Sequence, residues 1–169
     1  MSRGDRQFVE FVEANSARLL RAAHLMTGDR HQAEDAVQTA LARTYASWSR
    51  VRGQDAYSYT RRVLTNLTID RWRRPLREHA QETVPERPVV GDFTADHAEQ
   101  EWLMGVLGGL TARERAIIVL RHYLDLPEAE VAAELKVSLG TVKSTNSRAL
   151  AKLRIEADTE DTLIGGSGR

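Results

Sequence analysis

The stretch PLREHAQETVPERPVVGDFTADHAEQ, residues 75–100, limits the folds open to this chain more than any other feature. It holds three of the four prolines, six carboxylates and no sustained apolar period. Proline interrupts helices and central strands, and a stretch without spaced apolar residues has little to bury, so it reads as a linker. The 169 residues therefore divide into two blocks, each below about 80 residues and modest in the core it can build alone.

Charge follows the same division. Residues 1–76 carry 13 Arg and 8 acids, a net of +5, whereas residues 77–102 net −5. Residues 103–155 return to +3 and residues 156–169 to −3, so the formal neutrality is a cancellation and does not argue against nucleic acid. The chain has no cysteine, which excludes disulfides, thiolate chemistry and zinc fingers. No apolar run approaches a membrane span, and no signal peptide precedes the first amphipathic segment. A cytoplasmic protein without membrane insertion is expected. The ratio of 21 Arg to 3 Lys fits a GC-rich genome.

Both blocks read as helical. From Asp5 to Met26 apolar residues recur at Phe8, Val9, Phe11, Val12, Leu19, Leu20, Ala23 and Leu25. Gly28 breaks the pattern, and Asp29 is placed to cap a helix over 30–48 with a stripe of Ala33, Val37, Ala40, Leu41, Thr44, Tyr45 and Trp48. A polar loop, 49–55, leads to a third helix over 56–74, ended by Pro75. Helical pattern resumes at Glu101. Thr111 with Glu114 forms a capping-box pair, Asp125-Leu126-Pro127 makes a break, and a short helix covers 128–135. Lys136-Val137-Ser138 is a turn, with Ser138 capping the final helix. The tail, 156–169, ends GGSGR and reads as disordered. No stretch alternates as a strand does, so an all-α chain of two small helical domains joined by an acidic flexible linker is expected.

The short helix, three-residue turn and basic second helix at 128–154 are the parts of a helix-turn-helix. On the second helix Leu139, Val142, Leu150 and Leu153 are expected to pack inward. Thr141, Lys143, Ser144, Thr145, Ser147 and Arg148 lie where a helix start meets phosphates and base edges. By itself such a face also fits an ordinary amphipathic helix with a solvated side.

LTARERAIIVLRHYLDLPEAEVAAELKVSLGTVKSTNSRALAKLR resembles region 4 of bacterial extracytoplasmic-function (ECF) sigma factors of the SigE-like type, promoter-specificity subunits of RNA polymerase. The G-T-V-K-S run, followed by a basic residue and an Ala-Leu repeat, carries the likeness. Response-regulator output domains share a looser version, so this block alone leaves a stand-alone regulator open. LLRAAHLMTGDRHQAEDAVQTALARTYASW and RRVLTNLTIDRWRR resemble helices of region 2 in the same family. The resemblance covers roughly 8–155 in the family's order.

The resemblance implies roles. Residues 1–76 would bind core polymerase and the minus-ten element, 77–101 would be the acidic linker, and 102–155 would bind the minus-thirty-five element. Glu34, Asp35 and Gln38, at helical spacing opposite the apolar stripe, would dock on a coiled coil of the largest polymerase subunit; the flap is a second expected contact. Arg50, Arg52, Tyr57, Arg61, Arg62, Asn66, Arg71, Arg73 and Arg74 would hold the melted minus-ten strand, through phosphate attraction, stacking and an amide. Read from the residues alone, Glu34 and Asp35 are also acids near a helix start, where they are favoured anyway. Tyr59, Val63, Leu64, Leu67 and Trp72 read as core, and Asp70 as an internal ion-pair partner.

The linker passes a length check. Residues 77–101 reach at most roughly 80–90 Å at about 3.3–3.6 Å each. Promoter elements about two dozen base pairs apart are separated by roughly 80 Å at about 3.4 Å per pair. Its acids also suit a basic channel, such as the RNA exit path that this segment threads in the family, or simply keep the linker extended. The chain departs from the family where Asp125 and Lys136 replace common glycines, which requires left-handed backbone of residues with a Cβ. Thr145 and Asn146 replace a frequent Arg and a frequent apolar residue, and Thr65 replaces a common Arg.

His24, His31, His79, His97 and His122 show no paired metal spacing, and no catalytic constellation is visible. No enzyme activity, metal or cofactor is expected. The expected partners are polymerase core, promoter DNA and an anti-sigma factor. The competing readings are a stand-alone helix-turn-helix regulator and a sigma mimic that titrates an anti-sigma factor.

Overall fold

The computed structural model describes residues 1–73 and 95–165, with side chains described over 1–70, 98–99 and 101–155. Its described residues form α-helices and one π-helical turn, without strands.

The first half is α1 (Arg3–Thr27), α2 (Arg30–Ala46), α3 (Trp48–Val51) and α4 (Ala56–Arg73). Ser2 and Asp5 cap α1 reciprocally, each side chain accepting from the other's backbone N–H. Gly28 ends α1 at φ 70°, a left-handed turn that returns its N–H to the His24 carbonyl. Asp29 then caps α2, accepting from the Gln32 N–H at 3.0 Å, as its position in the sequence indicated. Leu19, Ala23, Ala33, Val37, Ala40, Leu41 and Leu64 bring α1, α2 and α4 together. Where α2 meets α4, the buried hydroxyls of Thr44 and Thr60 lie 2.8 Å apart.

The helix expected over 30–48 breaks after Ala46, and Trp48 starts the separate α3. This lets the Trp48 ring reach Phe8 and Phe11, with centroids 5.1 and 5.4 Å away. Tyr45, expected on the apolar stripe, is 50% exposed instead. Its ring lies on Phe8 and its hydroxyl donates to Asp5, a use for an amphipathic side chain at the rim of a core.

The second half is α5 (Ala95–Leu107), α6 (Ala112–Ile118), a π turn (Val119–Tyr123), α7 (Glu128–Leu135) and α8 (Leu139–Gly165). Thr111 and Glu114 form the expected capping box. The π turn closes with the Leu124 N–H on the Val119 carbonyl at 3.0 Å. Asp125 and Lys136 take positive φ, 54° and 55°, the backbone their replaced glycines would have supplied. Lys136 ends α7 in a Schellman arrangement: its N–H points to the Ala133 carbonyl at 3.4 Å and the Val137 N–H to Ala132 at 3.1 Å.

Two boundaries differ from expectation. α5 begins at Ala95, not at residue 101, because Ala, Glu and Gln favour helix and Asp96 suits a helix N-terminus. Residues 74–94, which hold most of the expected linker, lie outside the described residues. α8 continues past 155 to Gly165, since IEADTEDTL contains neither Pro nor Gly to stop it; residues 166–169 lie outside the description.

The halves are not independent bodies. Leu25 and Met26 of α1 and Ile69 of α4 belong to the same buried cluster as Leu107, Leu110, Ile117, Leu120, Val131 and Val142. Each half leaves apolar side chains that its own few helices cannot cover, and the other half covers them.

Candidate nucleic-acid interface

The outer face of α2 is free of the core. Asp35 and Gln38 are exposed on it, and Glu34 accepts from Arg30 Nε at 3.0 Å in a surface i, i+4 pair. The three stand at the spacing expected of them. The apolar stripe on the opposite side holds them outward by burying Ala33, Val37 and Ala40.

The minus-ten candidates separate into groups. Arg62 and Asn66 on α4 are exposed, as are Arg50 in α3 and Arg52 just after it. Arg50 lies 5.8 Å above the Tyr59 ring, and Arg52 donates to Gln7 at 3.3 Å. Tyr57 is half-buried between two guanidiniums, Arg18 at 5.2 Å and Arg61 at 5.9 Å from its centroid. Burial pushes its phenol above the ordinary range, although the two cations oppose this. The side chains of Arg71, Trp72 and Arg73, and all of Arg74, fall outside the described residues. The positions read as core mostly are: Leu64 is buried, and Tyr59, Val63 and Leu67 are half-buried. Asp70 is exposed, without an ion pair to another described side chain. Thr65 is buried with its hydroxyl unpartnered, so the arginine common at this position would have no exit to solvent here.

Arg61 corrects the sequence expectation. It is 4% exposed and faces α7, not solvent. Its Nε donates to Glu134 at 3.0 Å, while Nη2 donates to Glu134 at 2.6 Å and to Glu130 at 2.8 Å. Ser58 adds a contact at 3.5 Å and is itself held by Asp55. Burial alone would lower the guanidinium's pKa; Glu134 and Glu130 more than offset this, and the net shift is upward. As positioned, the Arg61 head group cannot reach a DNA strand.

The helix-turn-helix of α7 and α8 presents its second helix outward. Ser138 caps it, accepting from the Thr141 N–H at 3.1 Å. Lys143, Ser144, Ser147 and Arg148 are exposed in the first three turns, and Thr141 is half-exposed. Thr145 is a second correction: it is 2% exposed, because α8 turns 142, 145 and 149 onto its buried face. It accepts from Arg148 Nη2 at 3.4 Å, so it acts on Arg148 and not on DNA. Leu139, expected inward, is 42% exposed at the helix start, whereas Val142 is fully buried and Leu150 and Leu153 pack on the core. Asn146 is drawn to His122 at 2.9 Å, bridging α8 to the π turn.

Sequence reasoning did not find Glu130 and Glu134 as partners of Arg61, or Arg18 as a cover for Tyr57. Nothing local marks them, because the pairs are 69, 73 and 39 residues apart in the chain. Among the described residues no group of three or more His, Asp or Glu could hold a metal ion, and no helix is long and apolar enough to cross a membrane.

Residues 11–78 match the family described as sigma-70 region 2, and residues 106–154 match sigma-70 region 4. An RNA polymerase sigma-E factor of Streptomyces coelicolor is 43% identical over 157 residues, covering 92% of this chain and 88% of that protein. An ECF RNA polymerase sigma factor SigE of Mycolicibacterium smegmatis is 30% identical over 152 residues, covering 86% of this chain and 59% of that one. The fold is shared with the sigma factor RpoE of Bartonella quintana, solved with the anti-sigma factor NepR. That likeness has a TM-score of 0.65 at 24% identity, over 87% of this chain and 94% of that one. CnrH, solved with the cytosolic domain of CnrY, matches with a TM-score of 0.64 at 22% identity, over 92% and 90%. With both regions present in order on one all-α chain, this protein belongs to the sigma-70 family as an ECF-type alternative sigma factor, which directs RNA polymerase to promoters.

Proposed function

We propose that the two halves of this sigma factor divide its work at the boundaries read from the sequence. Residues 1–76 bind core polymerase and the minus-ten element, 77–101 connect, and 102–155 bind the minus-thirty-five element. Asp35 and Gln38, with Glu34 beside them, dock on the coiled coil of the largest subunit, and the second half rests on the flap. Arg50, Arg52, Tyr57, Arg62, Asn66, Arg71, Arg73 and Arg74 hold the displaced minus-ten strand by charge and stacking. Thr141, Lys143, Ser144, Ser147 and Arg148 meet the upstream element in the major groove. The polymerase performs the chemistry, in the cytoplasm, and this chain is not an enzyme. As in the Bartonella quintana relative, an anti-sigma factor is a partner.

One observation carries this reading. A single chain exposes a carboxylate-and-amide face on α2 together with a cationic, hydroxyl-rich start of a helix-turn-helix second helix. A stand-alone operator-binding regulator would need only the second. The test is reconstitution: purified chain, core polymerase and genomic templates, with transcript starts mapped. Replacing Asp35 and Gln38 by Ala should weaken association with core at least about tenfold while far-ultraviolet dichroism is unchanged. Unchanged affinity removes that face from the interface, and no new transcript starts would refute the reading as a whole.

A further inference from the structure

We infer that Lys143 is an acylation site, through which a small acyl phosphate discharges the upstream reader and leaves the downstream one untouched. The inference rests on the reading of α8 given above. Arginine outnumbers lysine 21 to 3 in this chain. The three lysines, Lys136, Lys143 and Lys152, all lie between the end of α7 and the middle of α8. Residues 1–76, with 13 Arg, have none. The two cations differ in chemistry. A guanidinium keeps its proton and charge throughout the physiological range, whereas lysine supplies an amine nucleophile and loses its charge once acylated. Amide formation on lysine therefore reaches the helix-turn-helix and has no target among the arginines assigned to the minus-ten strand.

The structure ranks the three amines. Lys152 Nζ donates to both oxygens of Glu114 at 2.9 Å, and that carboxylate is 8% exposed. An acyl donor must displace this pair, and an anionic donor is repelled by the carboxylate as it approaches. Lys136 and Lys143 are exposed, and neither is ion-paired to another described side chain. Lys136 stands in the turn that ends α7, outside the residues assigned to DNA. Lys143 stands in the second turn of α8, one helical turn from Ser147 on the outward side. An acyl phosphate meets a cationic surface there, with Lys143 and Arg148 both open to it. The step is a transfer without redox change. The neutral Lys143 nitrogen attacks the acyl carbon, the N–C bond forms and the C–O bond to phosphate breaks. Phosphate leaves with the bonding pair, and the nitrogen releases a proton to water. The product is an uncharged amide, one cation fewer where phosphates and base edges are met.

The probe is acetyl phosphate on the full chain, removed before core polymerase is added so that only this protein is modified. Mass spectrometry of the digested chain follows each lysine with time. Lys143 and Lys136 should acetylate at least about fivefold faster than Lys152, the factor that one like charge at close range supplies in water. The treated chain should still bind core polymerase. Its transcription should fall at least about fivefold on promoters carrying the upstream element, relative to the untreated chain, and stay level on templates with that element scrambled. Lys136→Arg should respond to treatment as the wild type does. Lys143→Arg, compared with its own untreated sample, should not respond, and Lys143→Gln with intact helical dichroism should reproduce the treated wild type. Reaction at Lys143 no faster than at Lys152, or an equal loss in treated Lys143→Arg, overturns the inference. Transcription that depends on the upstream element but ignores the acetyl group sinks the acylation site alone. An untreated chain that shows no dependence on that element sinks the reading of α8 beneath it.

Discussion

Lys136→Gly should make the protein more stable although it removes a side chain. Lys136 holds φ 55° and ψ 43° at the end of α7, inside the helix-turn-helix turn. A residue with a Cβ loses roughly 1–2 kcal/mol in left-handed backbone relative to glycine. Its side chain is exposed and makes no hydrogen bond or ion pair with a described residue, so nothing is lost with it. Glycine also loosens the unfolded chain, which takes back about 0.4–1 kcal/mol. The balance is a gain of about 0.5–1 kcal/mol. For a chain of this size that raises the thermal midpoint by roughly 1–4 °C. The assay is thermal unfolding followed by helical dichroism at fixed protein concentration, with two controls. Lys136→Ala keeps the Cβ and should leave the midpoint in place. Asp125→Gly, at φ 54°, should gain less, because aspartate tolerates this region better than lysine. A lower midpoint for Lys136→Gly, or an equal rise for Lys136→Ala, would refute backbone strain as the cause.

Two further expectations are narrower. Arg148→Ala should cost the holoenzyme about 1–3 kcal/mol on promoters that carry the upstream element, and little on templates with that element scrambled; an equal loss on both would make Arg148 a phosphate contact. Glu114 should shape acid unfolding: the Lys152 ammonium, 2.9 Å from both its oxygens, and the Thr111 N–H hold its carboxyl below the ordinary 4.5. The folded state then binds this proton less readily than the unfolded one. The stabilisation is fully present above about pH 4.5 and is lost as pH falls through the lower folded value. Urea unfolding from pH 7 down to pH 3 should therefore fall less steeply in Glu114→Gln, and parallel curves would count against the pair.

What the sequence alone determined is local. Asp29, the Thr111–Glu114 box and Ser138 were legible, because a cap is settled by groups within about five residues; the left-handed turns at Asp125 and Lys136 were expected from the resemblance to a family with glycines there. The helical periods on α2 and α8 likewise told which side faces in, and they put Asp35, Gln38, Lys143 and Arg148 outward as found. The period failed at its margins. Tyr45 and Leu139 are apolar by type yet sit at a rim, and Thr145 is polar by type yet falls on the buried stripe. Only the tertiary structure decided that the two halves share a core and that Arg61 belongs to Glu134, 73 residues away, and not to a phosphate. An arginine's chemistry suits either anion equally well. Which one it meets depends on where α7 comes to rest against α4, and that is a property of the packed chain that no window of sequence contains.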